Sequence, residues 1–96
     1  MSEAGSGTLE EARRIRETVR RQKFPRGLKR TNFEIKFGED ATGRPAVWIL
    51  LPVEREYENP SKAWISEVRQ FVHKLREDLL KERLKRWPYI DLKLAA

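Results

Sequence analysis

Apolar positions change period along the chain, and each change marks an element. Leu9, Ala12, Ile15 and Val19 recur at helical spacing, the narrow stripe of an amphipathic helix. Thr8-Leu9-Glu10-Glu11 reads as a capping box that starts it, with the Glu11 carboxylate reaching back to the Thr8 N–H. Pro25 disfavours the α conformation at Phe24 and ends it. Residues 31–37 then alternate: Phe33, Ile35 and Phe37 face one way, Asn32, Glu34 and Lys36 the other, as in a half-buried strand. Residues 46–53, Ala-Val-Trp-Ile-Leu-Leu-Pro-Val, are apolar at nearly every position, the pattern of a strand covered on both faces, with Pro52 near its end.

Gly38 and Gly43, between these strands, imitate half of a phosphate-binding loop. Such a loop needs a helix N-terminus directly after its second glycine, and a strand follows here. Residues 38–45 therefore read as a hairpin turn without a ligand role, in which Asp40 accepts from backbone N–H groups ahead of it. Glu39 and Asp40 fall short of the roughly six to eight oxygens that calcium takes.

Asn59-Pro60 predicts the start of a second helix, with Asn59 as N-cap. Trp64, Ile65, Val68, Phe71, Val72, Leu75 and Leu79 hold one helical register. Leu80, Leu84 and Trp87 make a second stripe, displaced around the helix, before Pro88 stops it. Tyr89 to Leu94 alternates again and predicts a third strand.

The expected fold is α+β in the order α-β-β-α-β, a three-stranded mixed sheet packed against two helices. The second helix is long enough to return the last strand to the sheet by a crossover. Residues 1–7 read as a disordered tail and 8–96 as a single small domain. The expected core is Phe33, Ile35, Phe37, one face of the second strand, Ile90, Leu92, Leu94 and the two helical stripes. One surplus remains. Trp48 and Leu50 share the other face of the second strand, which needs either the first helix as a third layer or a partner.

Element order, basic charge and size resemble the type II KH-like domains, the class that includes the ribosome-binding factor A family. KH domains clamp a nucleic-acid backbone with Gly-x-x-Gly between helices. Gly38 and Gly43 are spaced differently and lie in the hairpin, so the resemblance implies a layout and no site residue.

Charge adds a second candidate surface. Of the net +6, residues 8–30 contribute nine Lys/Arg against three Glu, so the excess sits at the front. Arg13, Arg16, Arg20 and Lys23 run beside the apolar stripe of the first helix, and Arg26, Lys29 and Arg30 extend the row. This is a candidate nucleic-acid footprint, although Phe24 is the lone aromatic of the segment. The chain has no cysteine, no apolar run that could span a bilayer and no signal peptide at its front, so a cytoplasmic protein without membrane contact is expected.

Chemistry-bearing clusters are missing from the pattern. The single histidine, His73, falls on the polar face of the second helix, and no His, Asp or Glu group has metal-ligand spacing. No enzyme activity, cofactor, metal or small-molecule substrate is expected. The function expected is a non-catalytic interaction module, binding another protein or a second copy of itself. Trp48 and Leu50 on the sheet face would carry it, with Leu80, Leu84 and Trp87. The alternative is RNA, ribosome or DNA binding through the basic first helix.

Overall fold

The computed structural model describes residues 2–57 and 59–94, with side chains from Leu9 onward. Helix α1 (Ser2–Arg20) is followed by β1 (Glu34–Glu39), β2 (Pro45–Val53), a 3-10 turn (Arg55–Tyr57), α2 (Lys62–Lys81) and β3 (Trp87–Leu94). Strand β2 is central, paired antiparallel with β1 and parallel with β3. The chain is thus an α+β fold with a three-stranded mixed sheet and two helices.

Both helices lie on the same sheet face. Ile15 and Val19 of α1 share one core with Trp64, Val68, Phe71, Leu75 and Leu79 of α2, with Val47, Ile49, Leu51 and Val53 of β2, and with Ile90 of β3. Full burial of each large apolar side chain contributes roughly 1.5–3 kcal/mol, so this single layer dominates the stability. A third layer formed by α1 is overturned. Polar contacts explain why α1 sits beside α2: buried Gln22 donates from Nε2 to Asp78 Oδ2 at 2.9 Å and to the Thr18 carbonyl at 3.1 Å. Arg14 donates to the Glu82 carbonyl.

Several boundaries differ from the sequence reading. Helix α1 already runs from Ser2, ahead of the expected start at Thr8, and the Glu11 carboxylate accepts from Arg86 Nε at 3.3 Å and the Lys85 N–H at 3.2 Å. It ends at Arg20, with the Gln22 N–H turning in to Val19 O, so Lys23 leaves the row. Strand β1 starts at Glu34, because Asn32 takes a left-handed φ of 62° that no strand tolerates. The N-cap of α2 is Ser61, whose hydroxyl accepts from the Trp64 N–H at 3.1 Å.

The largest correction is at the other end of α2. The helix stops at Lys81, where Arg83 adopts φ 56° and closes the last turn through its N–H on Leu80 O. Leu84 and Trp87 are therefore not on the helix, and Trp87 opens β3. Pro88 sits inside β3, which a proline tolerates because β3 is an edge strand; its carbonyl accepts from Arg76 Nε at 3.3 Å. Leu92 and Leu94, expected in the core, are exposed, and Phe33, Ile35 and Phe37 are only partly buried.

Candidate functional site

The β1–β2 turn is a compact knot. Asp40 Oδ1 accepts from the Thr42 hydroxyl at 2.7 Å, the Thr42 N–H at 2.9 Å and the Arg44 N–H at 3.1 Å. Gly43, at φ 83°, donates back to Asp40 O at 2.9 Å. The Tyr89 hydroxyl of β3 donates to Asp40 Oδ2 at 3.2 Å, which ties the turn to the far edge strand. These donors, the Thr42 hydroxyl first and the Arg44 N–H second, hold the Asp40 carboxyl down to about 2. Loss of hydration pushes the Tyr89 phenol up, and the facing carboxylate pushes the same way.

Beside this knot lies an open cleft of about 690 Å³. The turn supplies Asp40, Thr42, Arg44 and Pro45; the end of α2 and the following loop supply Leu80, Leu84, Lys85 and Arg86; β3 supplies Trp87 and Tyr89. Leu80 is 44% exposed and Trp87 46%. Leu84 is half-buried against the core. Arg86 is held in place: it pairs with Glu11, donates to the Gly38 carbonyl at 3.2 Å and lies over the Phe37 ring at 5.1 Å. The Leu80, Leu84 and Trp87 group that the sequence pattern proposed does converge here, but as three separate segments and not as a helical stripe.

The outer sheet face is less open than its apolar pattern implied. By the two-residue alternation it carries Glu34, Lys36 and Gly38 of β1, Ala46, Trp48, Leu50 and Pro52 of β2, and Trp87, Tyr89, Asp91 and Lys93 of β3. Trp48 stacks on Tyr89 with centroids 5.6 Å apart. Its ring extends over Gly38, where a Cβ would come within 3.2 Å of Cζ3. Glu34 and Lys93, on the two outer strands, pair at 2.6 Å and so cross the central strand above Leu50 and Pro52. The face roofs itself with an indole and an ion pair, and both Trp48 and Leu50 are half-buried without any helix over them.

No protein-family model, curated protein or solved structure matches this chain. The resemblance to type II KH-like domains thus stands on element order, basic charge and size alone. Among the described residues, no group of three or more His, Cys, Asp or Glu is placed to hold a metal ion. No helix among them is long and apolar enough to cross a membrane. His73 lies exposed on α2 and pairs with Glu77 at 3.2 Å.

The basic row breaks up in three dimensions. Arg13 is clamped by Glu10 at 2.6 Å and Glu17 at 3.0 Å on its own helix. Lys23 lines a different groove, with Phe24, Phe71 and Lys74. Arg26 lends its carbonyl to Trp64 Nε1, and the Lys29 N–H bonds to Pro52 O. Arg16, Arg20 and Arg30 remain together in a third cleft, with Thr31, Asn32 and Phe33. Tyr89, Asp40 and Arg44 at the first cleft, and Phe33 at the arginine cleft, were absent from the sequence-based sites. Only the position of Tyr89 next to Trp87 and Pro88 gave a local hint of it.

Proposed function

We propose that this protein is a non-catalytic interaction module whose cleft between the β1–β2 turn and the end of α2 takes an acidic protein segment with an apolar anchor side chain. The observation that carries this reading is the exposure of Leu80 and Trp87, side by side with Leu84 and Tyr89, in one concave site. Burial of such surface contributes roughly 25 cal/mol per Å², and tryptophan is favoured at binding hot spots. The aliphatic Leu80 and Leu84 suit an apolar side chain. The Asp40 knot and the pinned Arg86 fix the walls before binding, which lowers the entropy cost of association.

Charge selects the occupant. Arg44 and Lys85 bring two cationic side chains to the cleft besides Arg86, which Glu11 already neutralises, against one carboxylate in the lining, Asp40. A two-fold contact with a second copy would bring like charges together on a chain of net charge +6. An acidic partner gains where a second copy loses.

A peptide library displayed on phage and panned against the protein tests this. The enriched sequences should carry an aromatic or aliphatic residue flanked by Asp or Glu, and binding should be lost in Trp87→Lys and in Leu80→Lys. Enriched peptides without acidic residues, or undiminished binding by Trp87→Lys, would overturn the reading. Sedimentation velocity supplies the second check: the wild type should remain monomeric, and a dimer dispersed by Leu80→Lys would replace the acidic partner with a second copy.

A further inference from the structure

We propose a second, independent site: the cleft between the end of α1 and the loop before β1 binds the phosphate backbone of a single-stranded nucleic acid. The cleft, about 470 Å³, is lined by Arg16, Arg20, Arg30, Thr31, Asn32 and Phe33. It holds three guanidinium groups and no carboxylate.

Several other cations of the two helices are offset by carboxylates. On α1, Arg13 is neutralised by Glu10 and Glu17, and Arg14 and Arg21 both pair with Glu82. On α2, Lys74 and Lys81 flank Asp78. Arg16 and Arg20 stand four residues apart on one helical face, where like charges destabilise a helix. No side chain among the described residues pairs with either. Arg30, from a different segment, is aimed by two contacts: Nη2 donates to the Gln22 carbonyl at 3.2 Å, and the guanidinium lies over Phe24 at 5.4 Å. The remaining N–H donors of its planar fork stay available for a phosphate. The three exposed arginines thus line one cleft that has no carboxylate in its lining, where an external phosphate can reach them.

The ligand class follows from the lining. Guanidinium groups match phosphate oxygens, the Thr31 and Asn32 side chains add hydrogen-bonding capacity, and Phe33 places an aromatic ring at the same cleft. The sequence pattern counted only Phe24 as an aromatic near the basic row; folding adds Phe33. The cleft is open and exposed, as a continuous strand requires, and offers no enclosed pocket for a base to be read by hydrogen bonds. Binding should therefore be insensitive to sequence.

The test is fluorescence anisotropy with a labelled single-stranded RNA on the order of 12 nucleotides, titrated with the full chain between about 50 and 200 mM salt. Three neutralised phosphates predict a slope of log affinity on log salt of about −2, a loss of roughly 18-fold over that range. Arg16→Gln and Arg20→Gln should each reduce the slope by about 0.7 and weaken binding roughly eightfold at about 50 mM. Arg13→Gln, whose guanidinium is occupied by two glutamates, should change it less than about twofold. Trp87→Lys should leave RNA binding intact, which separates this site from the apolar cleft. Absence of binding by the wild type at about 50 mM salt, or an Arg13→Gln loss equal to that of Arg16→Gln, would overturn the proposal. A rise in melting temperature with inorganic pyrophosphate that depends on Arg16 and Arg20, without RNA binding, would also overturn it in favour of a small phosphate compound.

Discussion

Arg83 gives the sharpest test of how the chain leaves α2. Its φ of 56° places a non-glycine residue in the left-handed region directly after the C-cap Glu82. That conformation costs an L-residue about 1–2 kcal/mol, and glycine escapes most of the cost. Arg83→Gly and Arg83→Ala both remove the same exposed side chain and its favourable charge at the helix C-terminus. Their difference therefore isolates the backbone. The extra freedom of glycine in the unfolded chain offsets part of the gain, by roughly 0.5–1 kcal/mol. The glycine variant should emerge the more stable by about 0.5–1 kcal/mol. In a domain of this size, that corresponds to about 2–8 °C in melting temperature, measurable by circular dichroism. A helix running on to Pro88, as the sequence pattern implied, gives the opposite sign: glycine in a helix interior is about 1 kcal/mol worse than alanine. An alanine variant that melts above the glycine variant would refute the left-handed turn and, with it, the entry of Trp87 into β3.

Gly27→Ala should be strongly destabilising, by more than about 2 kcal/mol in urea unfolding, because φ is 91° and a Cβ would meet the Tyr57 ring at 2.7 Å; a loss below about 0.5 kcal/mol would show that the Tyr57–Trp64 pair yields freely. For Asp40, held down to about 2, the folded carboxyl lies below its unfolded value, so its stabilisation is present above pH about 4 and lost as pH falls through about 2. An NMR titration of its carboxyl carbon should show a midpoint near 2, Asp40→Asn should remove that part of the acid sensitivity, and a midpoint near 4 would break the knot described for the turn. Trp48→Lys should remain folded and lose roughly 3–5 kcal/mol, from the largely buried area of the indole and its stack on Tyr89; an unfolded variant would mean that the outer face is core.

Features encoded by local period were legible, and those set by a single backbone choice were not. The seven-residue apolar face of α2 reads directly, and five of its members, Trp64, Val68, Phe71, Leu75 and Leu79, are buried. The hairpin was legible from Asp40 and Gly43, down to the acceptor role of Asp40, whereas Gly38, read as part of the turn, lies inside β1 beneath Trp48. By contrast, nothing in Glu82-Arg83-Leu84 announces a helix end, since arginine and leucine are good helix formers and no glycine marks the left-handed residue. Asn59 and Ser61 are both good caps two residues apart, and only the hydroxyl contact to Trp64 N decides between them. Asn32 interrupts the alternation that promised a strand from residue 31 by adopting φ 62°.

The two candidate sites differ in kind for the same reason. Alternation correctly placed Trp48 and Leu50 on one face, yet it is blind to a lid that the chain makes for itself. Gly38 leaves room above β1 for the indole of Trp48, and Glu34 reaches Lys93 across a whole strand, so apolar surplus in β2 became a self-covered face. The two clefts lie near the ends of elements: Leu80 on the last turn of α2, Trp87 at the first residue of β3, and Arg16 and Arg20 beside the loop that carries Arg30. Residues at element ends escape the covering that the next turn or strand would provide. The same positions are where separate segments converge, so exposed aromatic and cationic side chains meet there in clefts. A surface built in this way depends on where each element stops, and the stop at Arg83 therefore decides whether Leu84 and Trp87 share a cleft with Tyr89 or point away from it along a longer helix.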